Sequence, residues 1–482
     1  MFGRTHVAEC LGSTLFHHGH GIRRLRKSAS LNILNRVALK LGVLTILGAS
    51  GVANAVHLAD SGLGQALIFP YYTVRNGSIT TITVVNHTDR AKALKVRFLE
   101  GKASKEVLDF NLYLSPHDQW AAAIGQSVTS GGTLLYVADK SCSTPAIPAK
   151  GVEFRNYAYV QDAIGGTLDR TREGYAEIIE MADFLPGSPS EIAVTHVAGS
   201  PANCSSLTAD TVPRDIVVGS GGLSGQGYII NSANGTSFGY TATALDNFSK
   251  NHPIWFEPGS INPNLTHVNP KISYVFDRRV GLLITEWATG NSSAPVDPVS
   301  AVLSRASLLN TYSTNTTVGA TSSWVVTFPT KGYYFRGNVA AKLFPSTLSA
   351  NGSCVPVSME AWNAEEGLVS AQVFAGITQN QICWESSVLN FGASAALGVG
   401  NAYRVAVDSN ADGNARLKFG TGIGLSTNGA ITTIVSPSAT AATRTNVVFA
   451  GLPALGFQVN RLGDINKPYP SLYDHRGDVE IK

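Results

Sequence analysis

Apolar and polar positions alternate along much of this chain, which predicts strands rather than helices. Residues 78–86 (SITTITVVN) place Ile79, Thr81, Thr83 and Val85 on one face. Residues 93–100 (ALKVRFLE) set Leu94, Val96 and Phe98 against Lys95 and Arg97. Residues 107–114 (VLDFNLYL) set Leu108, Phe110, Leu112 and Leu114 against Asp109 and Asn111. Turn residues separate these runs at Asn76-Gly77, 86–90 and 100–102. Three alternating runs at about ten-residue spacing predict antiparallel sheets with one wet face, of the sandwich type. Similar runs recur toward the C-terminus, among them 175–181, 227–230, 324–328, 382–391 and 447–450. One helix stands apart. Asp297 is a natural N-cap, Pro298 suits the first helical position, and Val299, Val302, Leu303, Ala306 and Leu309 follow at helical spacing.

The expected fold class is therefore all-β: antiparallel β-sandwich domains, immunoglobulin-like or jelly-roll-like, with one short helix near 297–312. Pro-containing stretches at 139–151 and 291–298 mark the candidate boundaries. They divide the chain into a first β-sandwich (56–140), a second β-rich region (141–295) and a C-terminal β-rich domain (296–482). No internal repeat points to a solenoid or propeller.

The front of the chain reads as an export signal, residues 1–55. An apolar stretch from Val37 to Val52, broken once by Lys40, leads into Ala53-Asn54-Ala55, a small-x-small site with cleavage expected before Val56. Arg23, Arg24, Arg26, Lys27, Arg36 and Lys40 supply the positive n-region. Its forty residues are long for the purpose, which favours a translation start nearer Leu31 or Val37. The uninterrupted apolar part is shorter than the ~20 residues that span a bilayer, so no transmembrane anchor is expected.

Composition and charge change the picture in two ways. Only 14% of the 482 residues are charged, against about a quarter in average soluble domains, and 44% are apolar. A disordered chain and a coiled coil are excluded on that ground, and a nucleic-acid partner is disfavoured because no dense basic stripe exists. The formal net charge of +3 belongs to the precursor. Residues 1–55 carry seven basic residues and one acid, so the remainder is net −3. Cys10 leaves with the signal. Cys142, Cys204, Cys354 and Cys383 remain, an even number that suits two disulfides in an oxidising compartment. Three pairings are possible, and proximity favours Cys142 with Cys204 and Cys354 with Cys383.

Residues 64–77 (GQALIFPYYTVRNG) and 92–120 (KALKVRFLEGKASKEVLDFNLYLSPHDQW) resemble the start of a family of uncharacterised secreted proteins from Gram-negative bacteria, described only as cell-surface proteins. Residues 169–181, 235–248, 322–334 and 451–461 are also similar. The resemblance implies export and β-rich character. No activity is established for the family, so it supplies no catalytic residues.

Four constellations could carry chemistry. Gly235-Thr236-Ser237-Phe238-Gly239 matches the G-x-S-x-G elbow of hydrolases, yet Asn234-Gly235 is a hairpin turn signal. Asp408, Asn410 and Asp412 in the run 408–413 (DSNADG) could ligate calcium, although Phe419 stands where an EF-hand needs Glu. Calcium is the one cofactor these residues suggest. Glu173, Glu177, Glu180 and Asp183 could supply a carboxylate pair for glycoside hydrolysis, or form salt bridges with Arg170 and Arg172. Tyr71, Tyr72, Tyr333 and Tyr334 could stack on sugars or partner proteins, or lie in a core. The histidines after residue 55 show no metal-binding spacing, and the Gly-rich run 219–227 lacks the Lys of a phosphate loop.

The expected function is an exported cell-surface or extracellular structural or adhesive protein, in the periplasm or beyond it, without catalytic activity. Its possible partners are other surface proteins or polysaccharide. The rival expectation is a secreted carbohydrate-binding or carbohydrate-active β-sandwich enzyme.

Overall fold

Two facing sheets built from residues 57–246 show how the alternation is used. In the computed structural model, the described residues are 54–482, apart from 208–211, 289–292, 337–342, 346–347, 376–377, 393–394, 398–400, 408–411, 437–440 and 464–468. The proposed signal segment up to Ala53 lies outside them. The strands used below are β1 (Ala66–Thr73), β2 (Ile79–Asn86), β3 (Lys92–Glu100), β4 (Glu106–Leu114), β5 (Gln119–Gln126), β6 (Thr133–Tyr136), β7 (Glu173–Phe184), β8 (Leu223–Asn231), β9 (Thr236–Thr241) and β10 (Thr243–Asp246).

The first sheet runs His57–Leu58, β10, β1, β7, β3, β4, Ser143–Thr144, with Ile216–Val217 also paired to β7. The second runs β9, β8, β2, β5, β6, Val152–Glu153. Every pairing in both sheets is antiparallel. Leu94, Val96 and Phe98 of β3 meet Ile82 and Val84 of β2 and Trp120 of β5 in one core, as period-two patterning requires. The all-β, antiparallel, sandwich-type fold class is thus present.

A second pair of sheets carries the C-terminal half. Val355–Asn363, Asp412–Phe419 and Ser307–Ser313 are neighbours in one, and Ala402–Ala406, Ser386–Phe391, Thr321–Thr327 and Phe457–Leu462 in the other. Ser386–Phe391 and Ala402–Ala406 pair in parallel, an exception in an antiparallel protein. Tyr312, Trp324 and Phe391 pack together at the centre, with Tyr312 and Phe391 stacked at 5.3 Å and Trp324 5.1 Å from Phe391. Residues 56–140, 141–295 and 296–482 share these structures. β7 from the middle stretch lies between β1 and β3 of the first, and Thr327 donates to the Pro70 carbonyl at 2.6 Å.

The helix starts where the sequence places it but is shorter. It spans Asp297–Leu303, with Val296 in the cap position and Asp297 as the first helical residue. The Asp297 carboxylate accepts from the Ala294 N–H and from the Tyr334 hydroxyl, both at 2.7 Å. Beyond Leu303 the chain turns extended, and Ser307–Ser313 pairs with Asp412–Phe419. Ala306 and Leu309 are therefore strand-side residues. Cross-strand pairing overrides their helical spacing. Pro189–Val194 and Lys331–Arg336 are also helical among the described residues.

Cysteines pair as Cys142–Cys204 and Cys354–Cys383, closing separations of 62 and 29 residues. The first tethers the residue just before Ser143–Thr144 to the segment following the helix Pro189–Val194, beside a small core of Tyr113, Met181 and Phe184. Replacing Cys142 and Cys204 together by Ser should lower unfolding free energy by about 2–4 kcal/mol in urea titrations, with disulfide mapping of the native protein recovering only the two pairs named.

Candidate functional site

The acids singled out in the sequence lie on β7, and all are buried. Cross-strand register decides their partners. Glu177 sits opposite Arg97 of β3, and Arg97 opposite Asp109 of β4, on the face turned away from the second sheet. Arg97 donates to Glu177 at 2.5 Å and to Glu106 at 2.7 Å, while Lys95 reaches Asp109 at 2.6 Å. Both cations were expected to be wet. Instead residues 254–259 cross this face: the Ile254 N–H bonds to Met181, Lys95 donates to the Glu257 carbonyl, Asn111 to the Phe256 carbonyl, and the Gly259 N–H to Asp109. Lys95 is 0% and Arg97 4% exposed.

Two further clusters close the ends of the core-facing rows. At one end the Lys92 ammonium lies 2.5 Å from Glu180 and 2.7 Å from Asp183. The Gly-rich segment wraps this group. Gly221 N–H donates to Glu180 at 2.8 Å, Ser220 N–H to Asp183, and Lys92 to the Ser220 hydroxyl. A Cβ at Gly219 would stand 2.4 Å from the Glu180 carboxyl, so glycine there serves close approach. At the other end Arg170 holds Glu100 at 2.8 Å, and Glu100 also accepts from the N–H groups of Lys102, Ala103 and Lys105. Glu173 is held by Arg75 at 2.8 Å and by the Tyr71 hydroxyl at 2.9 Å.

Burial raises Glu173, Glu177 and Glu180. Glu177 is pushed up to about 7 by desolvation, opposed by Arg97. Glu180 is pushed up to about 8 by desolvation, opposed by Lys92 and reinforced by Asp183. One ammonium facing two sealed carboxylates favours retention of a proton on Glu180. The salt-bridged reading of the β7 acids is the correct one, but the partners differ from those expected. Arg170 pairs with Glu100 and Asp162, and Arg172 with Asp169.

The other candidates fall as follows. Ser237 lies on β9 of the hairpin β8–β9, exposed, with no helix after it, so the G-x-S-x-G match is not a nucleophile elbow. Of the calcium candidates, Asp408 and Asn410 lie outside the described residues. Asp412 begins a strand, and its carboxylate accepts from the Ser313 hydroxyl and, at 3.0 Å, from Asn315. No group of three or more His, Cys, Asp or Glu that could hold a metal occurs among the described residues. Tyr71, Tyr72 and Tyr334 are fully buried. A cleft of about 410 Å³ opens beside the first disulfide, lined by Trp255, Tyr113, Ser190, Arg214 and Asp215. Trp255 stacks on Tyr113 at 6.2 Å, and Asp215 is already bonded to the Ser190 N–H and hydroxyl. No helix among the described residues is long and apolar enough to cross a membrane.

No family model, curated protein or solved structure matches the chain.

The ionic layer yields two measurable consequences. Lys92→Met strands two carboxylates and should cost about 3–5 kcal/mol in chemical unfolding, whereas Glu180→Gln near pH 7 should cost far less. The sign with pH follows from the raised Glu180 value. The folded state holds that proton more tightly than the unfolded state, so its contribution is full below pH ~4 and fades as pH rises through about 8. The Tm of the parent should fall relative to Glu180→Gln between pH 6 and 9.

Proposed function

We propose that this chain is an exported structural or adhesive protein of the bacterial cell surface or extracellular space, related to the secreted Gram-negative family it resembles, and that it works by binding rather than by catalysis. One observation carries the reading. The carboxylates best placed by sequence for acid–base chemistry, Glu173, Glu177 and Glu180, are sealed inside the first sheet and engaged by Arg75, Arg97 and Lys92. A glycosidase needs two carboxyls facing an open cleft. Here the acids hold strands together. Two disulfides support an oxidising destination, because such bonds persist outside the cytoplasm.

Cell fractionation with surface protease shaving tests the proposal. The protein should be recovered outside the cytoplasm, beginning at Val56, with no free thiol. Recovery from the cytoplasm with residues 1–55 attached and all five thiols free would contradict it.

A further inference from the structure

The outward face of the second sheet is uncharged across its five longest strands. Register places Gly239, Tyr228, Thr81, Ala123 and Tyr136 in one row across β9, β8, β2, β5 and β6. A neighbouring row carries Thr241, Gln226, Thr83 and Ala121. The outward positions of these five strands hold no Asp, Glu, Lys or Arg. Charge begins at the rim, where Glu153 is bonded to Ser127 and Ser130.

Both tyrosines pass close to a glycine of the neighbouring strand. A Cβ at Gly239 would meet the Tyr228 ring at 2.7 Å, and one at Gly125 would meet the Tyr136 ring at 3.5 Å. Each glycine leaves room for the neighbouring ring, and the two tyrosines remain 40% and 42% exposed. Three strand spacings separate them, about 14 Å, with Thr81 and Ala123 between. Ile79 and Ile230, 45% and 36% exposed, extend the apolar part of the same face.

We propose that this face binds a neutral polysaccharide, which names the partner class of the adhesive role and rests on that reading. The chemistry is complementary. The C–H face of a pyranose ring packs on a flat aromatic ring, and its equatorial hydroxyls find Thr81, Thr83, Gln226 and the Tyr228 hydroxyl. An uncharged face with two exposed tyrosines three strands apart suits an extended chain. An acidic glycan would meet no cation there, and a protein partner would find no charged groups to set its register.

Depletion assays with the purified full mature chain test this directly, using microcrystalline cellulose, chitin and β-1,3-glucan particles as neutral probes and alginate as the acidic contrast. At least one neutral probe should retain the protein, with binding unchanged between 0.05 and 0.5 M NaCl. Tyr228→Ala and Tyr136→Ala should each weaken it tenfold or more, and Tyr469→Ala, at an exposed site on another sheet, should not. Thr83→Lys, at a partly exposed position that leaves both tyrosines in place, should also abolish it. Retention by no neutral probe, or by alginate alone with loss at high salt, overturns the proposal. So does undiminished binding by the tyrosine variants, or a dimer in sedimentation that Tyr228→Ala dissolves while no neutral glycan is bound. These outcomes are independent of where the cell places the protein.

Discussion

Arg97 cannot be left alone where the strands put it. β3 is buried on both faces, and three of its nine residues are Lys or Arg. An isolated buried charge costs several kcal/mol, and only matched partners in good geometry offset that cost. The rest of the first sheet follows from this constraint. β7 and β4 flank β3 in the one register that sets Glu177 and Asp109 opposite Arg97. Slipping β7 by one residue would turn Glu177 toward the apolar core and Ile178 toward the guanidinium, so the ion pairs police register as well as stability.

The same constraint explains features remote in sequence. Residues 254–259 must cover the outer face of β3 and β4, and their backbone supplies the remaining hydrogen bonds to Lys95, Asn111 and Asp109. The Gly-rich turn at 219–222 must approach the Lys92 cluster closely enough for its N–H groups to reach Glu180 and Asp183, which a Cβ at Gly219 would prevent. Charge is thereby concentrated inside one sheet, while the outward face of its partner sheet is left neutral. Ion pairs buried in one sheet beside a neutral outward face on its partner invert the usual arrangement for these two sheets.

Much of the architecture is legible in the sequence. Period-two alternation marks β2, β3 and β4, Asn234-Gly235 marks the hairpin β8–β9, and the nearest cysteines are the ones that pair. What escapes has a common cause: contacts between residues distant in the chain. Lys95 and Arg97 read as solvent-facing because their cover comes from residues 254–259, and nothing local to β3 announces it. The acids on β7 read as partners of Arg170 and Arg172 because those are adjacent in sequence, whereas register gives them Arg97 and Lys92. The helix at Asp297 ends at Leu303 because a strand partner 105 residues later than Ser307, beginning at Asp412, claims the segment that follows. The two exposed tyrosines were the hardest to see, since Tyr136 and Tyr228 share a row only through two intervening strands. Their glycine neighbours Gly125 and Gly239 are the single local hint.

Hydrogen–deuterium exchange resolved by strand tests the central claim that charge pairing seals the first sheet on both faces. Amides of Lys92–Glu100 and Glu173–Phe184 should be the slowest in the protein, exchanging only with global unfolding, although these strands carry more charged residues than any others in the sandwich. Exchange there as fast as in the exposed strand Tyr469–Asp474 would show the face to be open to water and would contradict the account.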